Sequence, residues 1–278
     1  MTHSSRPADP GALGSRHRSR GEFDRAEPLL RAAVAIEQEA VPRSDGRLAA
    51  ALNALGLLCK DLAKYDEGRA LYERALSLLE SAVDPSLGDI ATLYHNLGGI
   101  EHARGDYAAG ERFARRGLEI RSGIAGADAR TIAADMVALA AILDGREEYE
   151  AAEGLYLEGL RVFERSPEAD AGEIAVALNG LGAQYARRGR LEEAEAMLAR
   201  AADLKRRTLG PGHSDTAVTL NNLAFVRQRQ GAFDRAAALY AEALGIFERS
   251  LGADHPKSAT CRTNAERCAA AAAPAVVD

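Results

Sequence analysis

The feature that most constrains this chain is a period of 42 residues that runs through six rows without an insertion. One column of that frame reads Leu13, Leu55, Leu97, Leu139, Leu181 and Leu223, and the next reads Gly14, Gly56, Gly98, Ala140, Gly182 and Ala224. Further along come Phe23, Tyr65, Tyr107, Tyr149, Leu191 and Phe233, then the small residues Ala26, Gly68, Gly110, Ala152, Ala194 and Ala236. Leu29, Leu71, Phe113, Leu155, Met197 and Leu239 follow, and Ala33, Ala75, Gly117, Gly159, Ala201 and Ala243 complete the register. A unit of this size cannot bury its apolar face alone, so fixed columns imply rows stacked into a continuous core.

Each row reads as two helices. In the fifth, Leu178, Leu181, Gly182 and Tyr185 recur at helical spacing, Arg188-Gly189-Arg190 interrupts, and Leu191, Ala194, Leu198 and Ala201 form a second stripe. Gly105 and Gly231 occupy the turn position of Gly189, where a glycine admits the left-handed conformation. Loops such as Leu209-Gly210-Pro211-Gly212-His213 separate the rows. With aromatics at 5% and no Trp, the residue mix favours helix over strand. The expected organisation is a basic, partly disordered arm with a degenerate first helix at 1–20, with Arg6, Arg16, Arg18 and Arg20, and the rest of repeat 1 at 21–46. Repeats 2 to 6 then span 47–88, 89–130, 131–172, 173–214 and 215–256, followed by a capping helix at 257–273 and a disordered tail at 274–278. In the capping helix Arg262 and Glu266 replace core-frame residues, giving the array a polar end.

The run Leu220-Asn221-Asn222-Leu223-Ala224 through Ala243-Leu244, followed by Leu251-Gly252-Ala253-Asp254-His255-Pro256, resembles the 42-residue tetratricopeptide repeat of kinesin light chains and many bacterial proteins. The resemblance covers about residues 8–268. It implies an all-α, right-handed α-α superhelical solenoid of antiparallel helix pairs, about six repeats plus a C-terminal capping helix.

Repeat arrays bind on their concave surface, lined by the first helix of each row. One line of that face reads Asn53, His95, Val137, Asn179 and Asn221. An asparagine offers a donor and an acceptor and can bond a peptide backbone whatever its sequence. Relatives use asparagines in this way, and Asn53, Asn179 and Asn221 match that motif, whereas His95 and Val137 do not. The adjacent line holds Asn96, Asn222 and Asn264; the alternative is that all these asparagines only bond neighbouring helices. Next come Leu57, Gly99, Ala141, Ala183 and Phe225, where small middle residues leave room for a bound chain. Gly98 and Gly99 can equally permit tight packing. The third line is Lys60, His102, Asp144, Ala186 and Gln228, flanked by Asp61, Arg187 and Arg229. With Arg188, Arg190 and Arg227 nearby, this end can receive an acidic group or a C-terminal carboxylate through arginine forks, or simply be solvated.

Net charge is −6, which disfavours nucleic acid and anionic membrane as partners. No apolar run approaches the ~20 residues that cross a bilayer, and the polar residues after Met1 do not read as a secretory leader. Cys59, Cys261 and Cys268 have no metal-type spacing and suit reduced thiols in cytoplasm. His95 and His102 are seven apart, not the four of a helical metal pair, and no phosphate loop, dinucleotide fingerprint or nucleophile elbow occurs. The expectation is therefore a protein without enzymatic activity, cofactor or metal. It acts as an adapter or scaffold holding a protein or peptide segment in its groove. A regulatory sensor for a small peptide or metabolite, and a module that self-associates through its N-terminal repeat, are the alternatives.

Overall fold

Each row of the frame becomes a pair of helices in the computed structural model, which describes residues 9–42, 44–166 and 170–272. The first helices of the six rows are α1 (Pro10–Ser19), α3 (Asp45–Asp61), α5 (Leu87–Arg104), α7 (Ala129–Gly145), α9 (Ala171–Arg187) and α11 (Ser214–Arg229). Their partners are α2 (Phe23–Glu39), α4 (Tyr65–Glu80), α6 (Tyr107–Ser122), α8 (Tyr149–Arg165), α10 (Leu191–Thr208) and α12 (Phe233–Leu251), and α13 (Pro256–Ala272) closes the series. No strand occurs among the described residues. The helices form two compact units, Met1–Ile124 with α1 to α6 and Ala125–Asp278 with α7 to α13.

Side-chain acceptors start the first helices. Ser44 and Ser86 hydroxyls accept from the Arg47 and Asp89 amides, and the Asp128 and Asp170 carboxylates accept from Arg130 and Gly172. In the last two loops histidine takes this part, with His213 Nδ1 accepting from Asp215 N and His255 Nδ1 from Lys257 N, both at 3.1 Å. The turn inside each hairpin needs one left-handed residue. Gly21, Ala63, Gly105, Glu147, Gly189 and Gly231 fill that column, and all have φ between 58° and 80°.

Within a hairpin, glycine sets how closely the two helices approach. A Cβ at Gly56 would lie 2.5 Å from the Tyr72 ring, and one at Gly14 or Gly182 would lie 2.7 Å from Leu30 or Leu198. These second-helix side chains are fully buried. Leu48, Leu52, Tyr72, Leu93, Leu97 and Ile100 are central to the core of the amino-terminal unit. Leu220, Tyr240, Ile246, Phe247, Cys261 and Cys268 do the same for the end of the carboxy-terminal unit.

Residues 10–19 of the supposed arm are helical; Asp9 caps that helix, and Arg18 reaches Asp61 of α3 at 2.8 Å. Residues 1–8, including Arg6, lie outside the described residues, as do Ala273 and the tail 274–278. In α13, Glu266 is exposed and Arg262 pairs with Glu248 at 2.7 Å.

Candidate functional site

The expected groove rests on the first helices, and these are more enclosed than a two-faced helix would be. In α11, Thr216, Thr219 and Val226 are buried beside the stripe residues Leu220 and Ala224. The face opposite that stripe is half-buried: Asn221, Asn222, Phe225 and Gln228 all sit at intermediate exposure, and Phe225 packs against the core cluster.

The asparagines of adjacent first helices bond one another in one repeated arrangement. Asn96 Nδ2 donates to Asn53 Oδ1 at 2.7 Å in the amino-terminal unit. In the other unit Asn222 Nδ2 donates to Asn179 Oδ1 at 3.3 Å, and Asn264 Nδ2 to Asn221 Oδ1 at 3.1 Å. Each bond joins residues 43 apart, one repeat plus one position. The positions that would continue the series are Ala138 and Gly180, so it stops there. A pair linked head to tail keeps one amide NH2 and one carbonyl oxygen uncommitted. Among the described residues, no asparagine amide is both buried and unpartnered.

Other expected site residues are distributed as follows. Asn96 and Val137 are buried, and Val137 packs where a Cβ on Gly159 would stand. A Cβ on Gly98 would lie 3.2 Å from Ala114 and from the Gly110 carbonyl, so this glycine permits close packing, whereas only Lys60 Nζ, at 3.6 Å, comes near a Cβ placed on Gly99. Leu57, His95 and Ala183 are half-buried, and the His102 ring packs at a tilt against Tyr107, with centroids 5.6 Å apart. Gln228 Oε1 accepts from the buried Tyr240 hydroxyl at 3.1 Å.

The supposed basic mouth is largely neutralised. Arg187 is paired with the buried Asp144; Arg188 reaches Glu150 and Glu153 at 3.0 and 2.9 Å, and Arg227 reaches Glu195 at 2.7 Å. Arg190 bonds Glu153 at 2.8 Å and lies 3.8 Å over the Tyr185 ring. Burial pushes the Glu153 carboxyl up, but hydrogen bonds from Arg190 and Tyr185 and the charges of Arg190 and Arg188 outweigh it, leaving its pKa below the usual range. Of this cluster Arg229 alone has no carboxylate partner among the described residues; it lies 5.8 Å over the Phe225 ring.

Among the buried polar side chains that sequence reasoning missed on the first helices are Glu101, Asp135 and Gln184. Glu101 lies 3.0 Å from Arg69 and 3.4 Å from Arg104. Gln184 stands in a column that rows two, three, four and six fill with Leu58, Ile100, Ile142 and Val226, row one placing Arg16 there, and that column carried the signal. Among the described residues no three His, Cys, Asp or Glu side chains gather to hold a metal ion. No helix among them is long and apolar enough to cross a membrane.

Models of the tetratricopeptide repeat match residues 11–43, 48–86, 89–165, 173–249 and 215–273. A search of curated proteins finds no match. Among solved structures, BtubC (BKLC) from P. vanneervenii is 22% identical with a TM-score of 0.57, covering 86% of this chain and 93% of that one. NprR in complex with its cognate peptide NprX is 16% identical with a TM-score of 0.67, covering 97% and 74%. A Podosopora anserina putative kinesin light chain with nearly identical TPR-like repeats is 16% identical with a TM-score of 0.53, covering 74% and 97%.

Proposed function

Since the chain belongs to the tetratricopeptide repeat family, we propose that it is a protein-interaction adapter whose first-helix face takes an extended segment of a partner protein. The observation that carries this reading is the asparagine pairing. In Asn179–Asn222 and Asn221–Asn264 one amide fixes the orientation of the other, and the uncommitted NH2 and carbonyl are the complement of a peptide group. A repeat spacing of such pairs suits a backbone rather than one particular side chain. Phe225 supplies an apolar contact beside them, and Arg229 a cation without a carboxylate partner among the described residues. The adapter works without catalysis or cofactor, and its three buried free thiols fit the reducing cytoplasm.

The test exchanges the amide for a carboxylate. In Asn179→Asp with Asn221→Asp, the oxygen that accepts from Asn222 or Asn264 is kept, while the NH2 donors vanish. Peptides selected from a random-sequence library on the wild-type chain should bind the double variant at least about tenfold more weakly, with the helical melt unchanged. Equal binding refutes the reading, as does a library that enriches nothing. A sensor would instead show strong thermal stabilisation by a small peptide or metabolite. A self-assembling module would change oligomeric state when residues 1–20 are deleted.

A further inference from the structure

A second recess lies on a different face of the carboxy-terminal unit, between the second helices α8 and α10. Its volume is about 460 Å3, within the range of about 300–1,000 Å3 in which proteins take ligands. Leu157 and Leu160 of α8 and Ala196 and Met197 of α10 line it, over the buried Leu181 and Tyr185 of α9. Its rim carries Glu164, Glu192, Glu193 and Arg200. Arg200 is paired with Glu164 at 2.7 Å, and Glu193 with Arg190, which leaves Glu192 as an exposed carboxylate with no ion pair among the described residues.

The frame shows why this seam is open. The column of Leu157 holds Arg31, Glu73, Arg115, Ala199 and Ala241 in the other rows. In the amino-terminal unit Arg31 crosses from α2 to Glu67 of α4 at 2.8 Å, 36 residues on. The residue 36 beyond Leu157 is Glu193. Here the bridging cation is replaced by a leucine that is 47% exposed, and the carboxylate turns to Arg190 instead. An apolar side chain in a column otherwise charged or small, above an apolar recess with an acidic rim, marks a place where something binds.

We propose that this recess is a second docking surface, and that its occupant is a short segment of a partner protein. In that segment one or two large apolar side chains are flanked by lysine or arginine. The apolar side chains fill the space between Leu157 and Met197, and a flanking basic residue meets Glu192. Charge complementarity of this kind selects the partner and speeds encounter. The surface is separate from the asparagine pairs, so the two can be engaged independently.

The probe is a fluorescein-labelled peptide of lysine and leucine patterned as an amphipathic helix, with a glutamate-for-lysine peptide as control, titrated by anisotropy against the full chain. Leu157→Arg restores the residue type that rows one and three carry, so the fold tolerates it and Glu193 gains its bridge. Glu192→Lys reverses the rim charge at an exposed position. Each variant is expected to weaken the lysine peptide at least about tenfold, and added salt to weaken it further. The Asn179→Asp and Asn221→Asp variant should bind this probe like wild type. The proposal is overturned by no saturable binding up to about 1 mM, by equal binding of the glutamate peptide, or by a folded Leu157→Arg that binds as before. Should Leu157→Arg not fold, Glu192→Lys decides alone. Sedimentation that finds wild type self-associating and Leu157→Arg monomeric also overturns it, because the occupant would then be a second copy of this chain.

Discussion

Gln184→Leu should stabilise the protein, and the structure gives the size of the effect. Gln184 has no exposed surface, in a column where rows two, three, four and six place Leu58, Ile100, Ile142 and Val226. Its Nε2 donates to the Tyr149 carbonyl at 2.7 Å, while its Oε1 is buried with no partner. The unpartnered oxygen costs about 1–3 kcal/mol, and the single hydrogen bond returns about 0.5–1.5 kcal/mol. Leucine is of similar length, and burying it contributes about 1.5–3 kcal/mol. Tyr149 is the first residue of α8, so its carbonyl keeps a place in the helix ladder after the amide is removed. The net gain is about 1–5 kcal/mol, the lost bond being the smaller of the opposing effects. At roughly 2–4 °C per kcal/mol for a unit of this size, Tm should rise by at least about 2 °C and by up to about 20 °C. Circular dichroism at 222 nm and calorimetry on the full chain read it directly. An unchanged or lower Tm would refute the reasoning, because it would mean that Oε1 is satisfied in the folded protein or that leucine cannot fill the site.

The other predictions concern the same framework. Ala63→Gly and Glu147→Gly should each stabilise by about 1 kcal/mol, since both hold a left-handed φ (58° and 65°) that their sister rows give to glycine; a Tm unchanged in both refutes it. Gly56→Ala should cost about 1–3 kcal/mol by pushing on the buried Tyr72 ring, whereas Gly99→Ala, in open space, should gain up to about 1 kcal/mol in helix propensity, both measured by urea melts. Cys59 and Cys261 are pushed up from 9.0 to about 11, chiefly by burial. The fold thus favours their protonated form, a contribution present below pH 9 and lost as pH rises towards 11. Melts across that window should show falling stability, less so in Cys59→Ala with Cys261→Ala, and both thiols should resist alkylation at neutral pH until the chain unfolds.

The hairpins were legible because each rests on chemistry local to one row: a stripe of period 3.6, a turn with one left-handed residue, a capped helix start. Even Ala63 and Glu147 obey the turn column, although nothing in those side chains favours that conformation, because the flanking helices fix it. The candidate site was only partly legible. Which asparagine meets which depends on how far one first helix is rotated against the next, and a single row contains no record of that. The same ignorance made Arg187, Arg188, Arg190 and Arg227 read as a basic mouth, when each meets a carboxylate supplied by an earlier helix.

Once a few pairs are known, the missing information takes a simple form. Asparagines join at a separation of 43, and Arg31–Glu67, Arg200–Glu164 and Arg206–Glu242 join second helices at 36. At 32, Glu153–Tyr185 and Glu195–Arg227 join a second helix to the next first helix, and Arg69–Glu101 does so with the acid and the base exchanged. The exchange matters physically: a row displaced by one repeat would set Glu101 against Glu27 or Glu111, and a like-charge pair at a buried position opposes that stacking. Rows that are alike in their apolar columns are therefore told apart by their polar ones. Arg69→Glu should accordingly destabilise the amino-terminal unit by more than Arg69→Met, and Arg69→Glu with Glu101→Arg should recover most of the loss in urea melts. Failure of the exchange to rescue would remove this pair from whatever fixes the order of the rows.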